Sequence, residues 1–245
     1  MLRMLRPALL AAFTSALGAG CRVEQTVSPA SLSVKKELPV FPSDPAGFVA
    51  QVTNPYLAFA PGKKFHYRSE TPDGVETNTV EVTNQTKTIL GISVTVVHDS
   101  VYLNGSLTED TFDWYAQDTA GNVWYLGEDS KQIQNGTVVG TEGSWEAGVN
   151  GAQAGIIMLA QPKVGMQYQQ EFSAGVAEDM AKVSNLSAAV AVPYASCTDC
   201  LKTDEWTALE PGVHEAKYYK PGVGLLLEVQ PKGGGVKSEL TAIEN

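Results

Sequence analysis

From Pro61-Gly62 onward, apolar side chains recur at every second position, and that period specifies strands. Phe65 and Tyr67 alternate with Lys64, His66 and Arg68; Val80 and Val82 alternate with Thr79, Glu81 and Thr83; Ile92, Val94 and Val96 continue the pattern. Turn residues punctuate it. Asn104-Gly105 lies between Val101-Tyr102-Leu103 and a run from Thr108 to Ala116, and such a pair accepts the positive φ angles of a tight hairpin. Asp118 to Asn122 and Asn135-Gly136 read as further turns, and Pro-Gly pairs at 211–212 and 221–222 break up the last third of the chain. Short strands joined in sequence favour antiparallel pairing. The predicted fold is therefore mostly β: a single domain of antiparallel strands, as a curved sheet or open barrel, with one or two short helices against it. A β-sandwich is the alternative. One helical face is predicted at Phe48, Val49 and Val52, ahead of Asn54-Pro55-Tyr56. Gly148 to Gly155 is predicted to be a loop leading into the buried segment Ile156-Ile157-Met158.

The N-terminus follows different rules. Arg3 and Arg6 precede an apolar stretch, Ala8 to Leu17, that is shorter than the about 20 residues needed to span a bilayer. Gly18, Ala19 and Gly20 then lead to Cys21, as in bacterial lipoprotein signals, where a peptidase closes on small residues and the thiol is acylated. Gly18 stands where a larger apolar residue is usual, so ordinary cleavage nearby is the competing reading. The expected organisation is a signal peptide over 1–20, a lipid-attachment cysteine and tether over 21–40, and a β-domain over 41–245. Loss of Arg3 and Arg6 with the leader leaves 15 Lys and Arg against 27 Asp and Glu, a charge near −12. That excludes nucleic acid as a partner, because phosphate recognition needs a basic face. The expected localisation is the cell envelope, after export, with the membrane engaged through the lipid anchor.

Cys197-Thr198-Asp199-Cys200 lies between strand-like segments in an exported chain, so a local disulfide stapling a turn is the expected state. A redox motif would sit at a helix start, and a zinc site with His214 lacks an evident fourth ligand. His98-Asp99-Ser100 suggests nucleophilic chemistry only superficially, because His98 and Asp99 must face opposite sides of a strand. Asp110, Asp113, Asp118, Glu128 and Asp129 offer hard oxygen ligands suited to Ca²⁺, although their spacing does not match an EF-hand. No other cofactor is indicated. The same segment reads structurally as a hairpin whose Asp and Asn side chains cap the turn. Acid pairs such as Asp110 with Asp113, or Glu178 with Asp179, are what a glycosidase would require, but a chain this acidic produces such pairs by chance.

The aromatic residues concentrate in the strands. Phe112, Trp114, Tyr115, Trp124, Tyr125 and Trp145 read either as core or as the lining of a concave sheet that holds an apolar or saccharide ligand. Several motifs stand together: Val52-Thr53-Asn54-Pro55-Tyr56 with Pro61-Gly62; Asp113-Trp114-Tyr115-Ala116-Gln117-Asp118 with Gly121-Asn122-Val123-Trp124-Tyr125 and Gly127-Glu128; Gly143-Ser144-Trp145-Glu146-Ala147-Gly148; and Tyr218-Tyr219 with Pro221-Gly222-Val223-Gly224. In these the chain resembles an uncharacterised family of bacterial exported proteins and lipoproteins, over about residues 50 to 243. The resemblance implies no catalytic residues and no cofactor. The expected function is a non-enzymatic envelope lipoprotein that binds an apolar or saccharide ligand, or an envelope protein, on a curved sheet. An acid-based or metal-assisted envelope hydrolase and a purely structural lipoprotein are the alternatives.

Overall fold

The period-two pattern is realised as one antiparallel sheet, in a computed structural model that describes residues 39–57, 59–230 and 235–245. The signal peptide, Cys21 and most of the tether lie outside the described residues. The strands in chain order are β1 (Phe48–Val49), β2 (Lys64–Thr71), β3 (Gly74–Ile89), β4 (Ile92–Leu103), β5 (Ser106–Asp118), β6 (Val123–Gln134), β7 (Thr137–Gly140) and β8 (Trp145–Glu146). They continue with β9 (Gln153–Met158), β10 (Gln167–Gln169), β11 (Glu171–Phe172), β12 (Asp179–Ala191), β13 (Ser196–Thr207), β14 (His214–Lys220), β15 (Gly224–Val229) and β16 (Lys237–Glu244). Among the described residues the helical content is one 3-10 turn, Pro45–Gly47, capped by the Asp44 side chain. Where a helix is expected at Phe48, Val49 and Val52, Phe48 and Val49 form β1 and Val52 follows as a buried residue outside regular structure. Strand β1 pairs Phe48 with Asp118 and Val49 with Gln117, because β5 offers backbone partners there.

The sheet is a meander that nearly closes into a barrel. Strands β2 to β6 and β9 follow one another, β12 to β16 do likewise, and β16 pairs with β2 to join the two halves. The other seam is made by a single stretch of chain. Residues 167–169 pair with β12 at one end of the sheet, and 171–172 pair with β9 at the other. Gln170 between them donates its backbone N–H to the Asp179 carbonyl at 2.8 Å. Closure covers the open edges that a meander would otherwise present to other chains.

Register decides which side chains face inward. Directly opposed residues of an antiparallel pair share a face. Tyr67 opposes Asn78, Val80 opposes Asp99, Val97 opposes Asp113 and Asp113 opposes Glu128. Across the other half Ala181 opposes Glu205, and Lys217 opposes both Thr203 and Glu228. All of these are buried, so the barrel interior is strongly polar. The opposite face is apolar where the N-terminal segment covers it. Trp124 is buried there, with Phe41 edge-on to it at 5.1 Å between ring centroids, while Trp114 on the same face lies under the Lys87 side chain. This cover at Gln117 and Asp118, with Lys87 over Trp114, leaves Trp114 to Asp118 buried on both faces. The segment is fastened by Asn54, whose side-chain amide donates to the carbonyls of Gly121 and Leu159, and by Gln117 Oε1, which accepts from the N–H groups of Thr53 and Asn54. Phe59 then turns in against Tyr115, 5.3 Å between ring centroids.

Cys197 and Cys200 form the expected disulfide. It lies within β13 rather than in a turn. The pairings Val190 with Cys197 and Ala188 with Cys200 set three steps on β13 against two on β12, so the disulfide staples a β-bulge.

Candidate ligand-binding cleft

A cleft of about 520 Å³ opens where β6, β8 and the 173–176 loop meet, with Trp114 and Trp145 in its walls. Its position follows from three local features. First, a bulge between Val82 and Thr86 slides β3 along β4, so that Lys87 comes opposite Val94, next to the row that pairs Val96 with Trp114. Second, Gly127 sits at φ +136°, and a Cβ there would fall 2.2 Å from the Trp145 carbonyl oxygen. Only glycine lets β8 lie this close to β6. Third, Ser144 fixes the approach to β8 by accepting from the Ser130 N–H at 2.9 Å and donating to the Ser130 carbonyl at 3.1 Å.

The walls are aromatic and the remaining lining is largely polar. The Lys87 ammonium lies 3.2 Å from the centre of the Trp114 ring and 2.7 Å from Glu146 Oε2. An ammonium over an indole face is attracted by the ring quadrupole, and the carboxylate behind it adds a charge-assisted hydrogen bond. Trp145 donates its indole N–H to Glu171 at 3.0 Å and meets Tyr125 edge-on at 5.4 Å. The Tyr125 hydroxyl reaches Asp113 at 2.5 Å and Glu128 at 3.1 Å, so one phenolic proton serves two carboxylates. Burial, with Asp113 and Glu128 adding to it, holds the Tyr125 phenol well above its usual range, so it stays a donor. Burial, followed by Asp113, does the same for Tyr115.

The structure divides the five proposed calcium ligands. Asp113 and Glu128 meet at Tyr125 on the inner face. Asp110 contacts the His98 ring at 2.5 Å and Asp129 pairs with Lys131 at 2.9 Å, both on the outer face. Asp118 caps the β5–β6 turn, accepting from the Asn122 N–H, the Asn122 amide and the Trp124 indole, all at 2.9 Å. Among the described residues no group of three or more His, Cys, Asp and Glu side chains is disposed to hold a metal. The turn-capping role expected for Asp118 and Asn122 is the one observed.

The six aromatic candidates also separate. Trp114 and Trp145 line the cleft, while Tyr115, Tyr125 and Trp124 are core. Phe112 stacks on His98 on the outer face, with centroids 4.4 Å apart. As expected, His98 and Asp99 point to opposite faces: Asp99 accepts from the Asn78 amide at 2.6 Å inside the barrel. His98 meets both Asp110 and Ser100 through the same ring nitrogen, Nε2. A relay needs the acid on one nitrogen and the hydroxyl on the other, so this trio is no catalytic triad. Lys87 and Glu146 are the cleft residues that sequence reasoning passed over as a candidate pair, since 59 positions separate them.

No family model matches the chain, and no curated protein sequence does. Among solved structures, one similar chain is a protein of YmcC-like fold from Bacteroides fragilis NCTC 9343, provisionally described as exported. It is 14% identical over 76% of this chain and 97% of its own, with a TM-score of 0.44. Another is a protein from Parabacteroides distasonis ATCC 8503, provisionally described as a lipoprotein. It is 9% identical over 77% of this chain and 98% of its own, with a TM-score of 0.41. Likeness at these values assigns neither a family nor a function.

Proposed function

We propose that this chain is a non-enzymatic protein of the cell envelope, exported and anchored through Cys21, that binds a saccharide in the cleft beside Trp114 and Trp145. The observation that carries the reading is the mixed lining: two indoles together with carboxylates, an ammonium, Asn150 and Ser144 around about 520 Å³. Sugars present both an apolar C–H face and a rim of hydroxyls, and a site for them combines flat aromatic surface with convergent hydrogen-bonding groups. A lipid chain would ask for an apolar wall throughout, and these walls carry charge. Acid-based hydrolysis would ask for two carboxylates facing the substrate. Glu128, Asp129 and Glu146 line the cleft, but each is engaged within the protein: Glu146 pairs with Lys87, Asp129 with Lys131, and Glu128 accepts from the Tyr125 hydroxyl.

Titration of the chain with envelope-type oligosaccharides and with fatty acids, read by tryptophan fluorescence, tests the binding. Saccharides are expected to shift the emission saturably, and Trp145→Phe to weaken that response at least tenfold. A response to fatty acids alone would overturn the saccharide reading. The anchor is tested separately: Cys21→Ser is expected to move the protein from the membrane fraction to the soluble one, and unchanged partition would refute lipidation.

A further inference from the structure

The saccharide reading leaves the ligand's charge open, and the cleft has features that decide it. Its charged lining is Glu128, Asp129 and Glu146 against Lys87. Lys131, paired with Asp129, offsets one of these from outside the lining, and the acids still outnumber the cations. The chain as a whole carries a net charge of −10. An anionic sugar would enter against that field. The second feature is the placement of Lys87. Its ammonium rests on the Trp114 face and is held by Glu146, the pair of contacts by which proteins recognise an organic ammonium. The Lys87 and Glu146 side chains are 36% and 33% exposed, so solvent and solutes reach the pair.

We infer that the cleft selects a saccharide bearing a free amine, a deacetylated amino sugar, whose ammonium takes the place that Lys87 occupies between Trp114 and Glu146. Lys87 is then an internal competitor. It neutralises Glu146 and covers the indole until a ligand ammonium displaces it. An N-acetylated sugar has no charge with which to make that exchange. The inference rests on the saccharide reading and adds the charge of the ligand to it.

The test compares a β-1,4-linked glucosamine tetramer with its N-acetylated counterpart by calorimetry at pH 6, where the free amines are protonated. Three proteins are used: the unaltered chain, Lys87→Met and Glu146→Gln. The glucosamine tetramer is expected to bind at least tenfold more tightly than the acetylated one, with affinity falling as salt is raised. Lys87→Met should strengthen binding at least threefold, because it removes the competitor and frees Glu146. Glu146→Gln should weaken it at least tenfold. Should Glu146→Gln lower the melting temperature sharply, Asp129→Asn, at a side chain 47% exposed in the same lining, supplies the same charge change. Equal or tighter binding of the acetylated tetramer would overturn the inference and leave the saccharide reading standing. Unchanged or weakened binding by Lys87→Met would overturn it too. Binding of neither tetramer would overturn both readings.

Discussion

Gly127 shows how much one residue can decide here. Its φ is positive, and a Cβ on it would come within 2.2 Å of the Trp145 carbonyl oxygen, so there is no room for a side chain. Gly127→Ala must therefore push β8 away from β6 and carry Trp145 and Glu146 with it. We expect a loss of about 3 kcal/mol or more in urea denaturation, together with a changed tryptophan emission. A loss below about 1 kcal/mol would show that β8 relaxes without cost. At the same scale, Lys217 answers for much of the interior charge. It contacts Glu205 at 2.8 Å, Glu215 at 3.7 Å and Glu228 at 3.8 Å, all but Glu215 deeply buried. Burial alone would favour the neutral amine. The three carboxylates outweigh it and hold the Lys217 ammonium charged, above its usual range.

Among the elements, the hairpin turns carry the clearest contrast. Asn104, Asn135 and Asn150 each precede a glycine and sit near φ +50°, a conformation that asparagine tolerates. Leu90-Gly91, between β3 and β4, has the same geometry at φ 51° and places an apolar side chain that is 52% exposed. Its Cδ2 lies against Gly148, in the connection that follows β8, where a Cβ would approach to 2.5 Å. Asparagine relieves the left-handed strain and exposes less apolar surface. Leu90→Asn is thus expected to stabilise the chain by about 0.5–1 kcal/mol, raising Tm by about 2 °C in a thermal melt. A fall in Tm would mean that the Leu90–Gly148 contact outweighs the strain. The turns were legible in the sequence where they used Asn-Gly. This one was not, because leucine carries no turn signal of its own. Strand identity was legible for a related reason: period two survives wherever one face is solvated. Across Trp114 to Asp118 both faces are buried, and the strand was legible only as far as Ala116, two residues short of its end.

For the molecule as a whole, closing the sheet gathers acids that lie far apart in sequence into one interior. Burial, with Glu109 adding to it, raises Glu76 to about 7. Burial is also the first cause that lifts Asp99 and Glu228, with Asp113 next at Asp99 and Glu215 next at Glu228. An acid whose folded pKa lies above its unfolded value binds more protons in the folded state, so stability falls as pH rises between the two. For Glu76 that window runs from 4.5 to about 7. Lys217 and the raised tyrosines add nothing to this window, since they titrate at the alkaline end. Urea denaturation is expected to give a lower midpoint at pH 8 than at pH 5, and Glu76→Gln to flatten that slope. A midpoint that rises with pH would contradict the burial of protonated acids. The sequence by itself determined the strands, most of the turns, the antiparallel class and the Cys197–Cys200 bond, because each rests on local periodicity, local φ preference or short separation. Tertiary structure alone decided the barrel's closure through residues 167–172, the acidic interior, and the meeting of Lys87, Trp114 and Glu146. Those depend on register and bulges between strands that are distant in the chain, and a one-residue change in register would have turned each of these side chains to the other face.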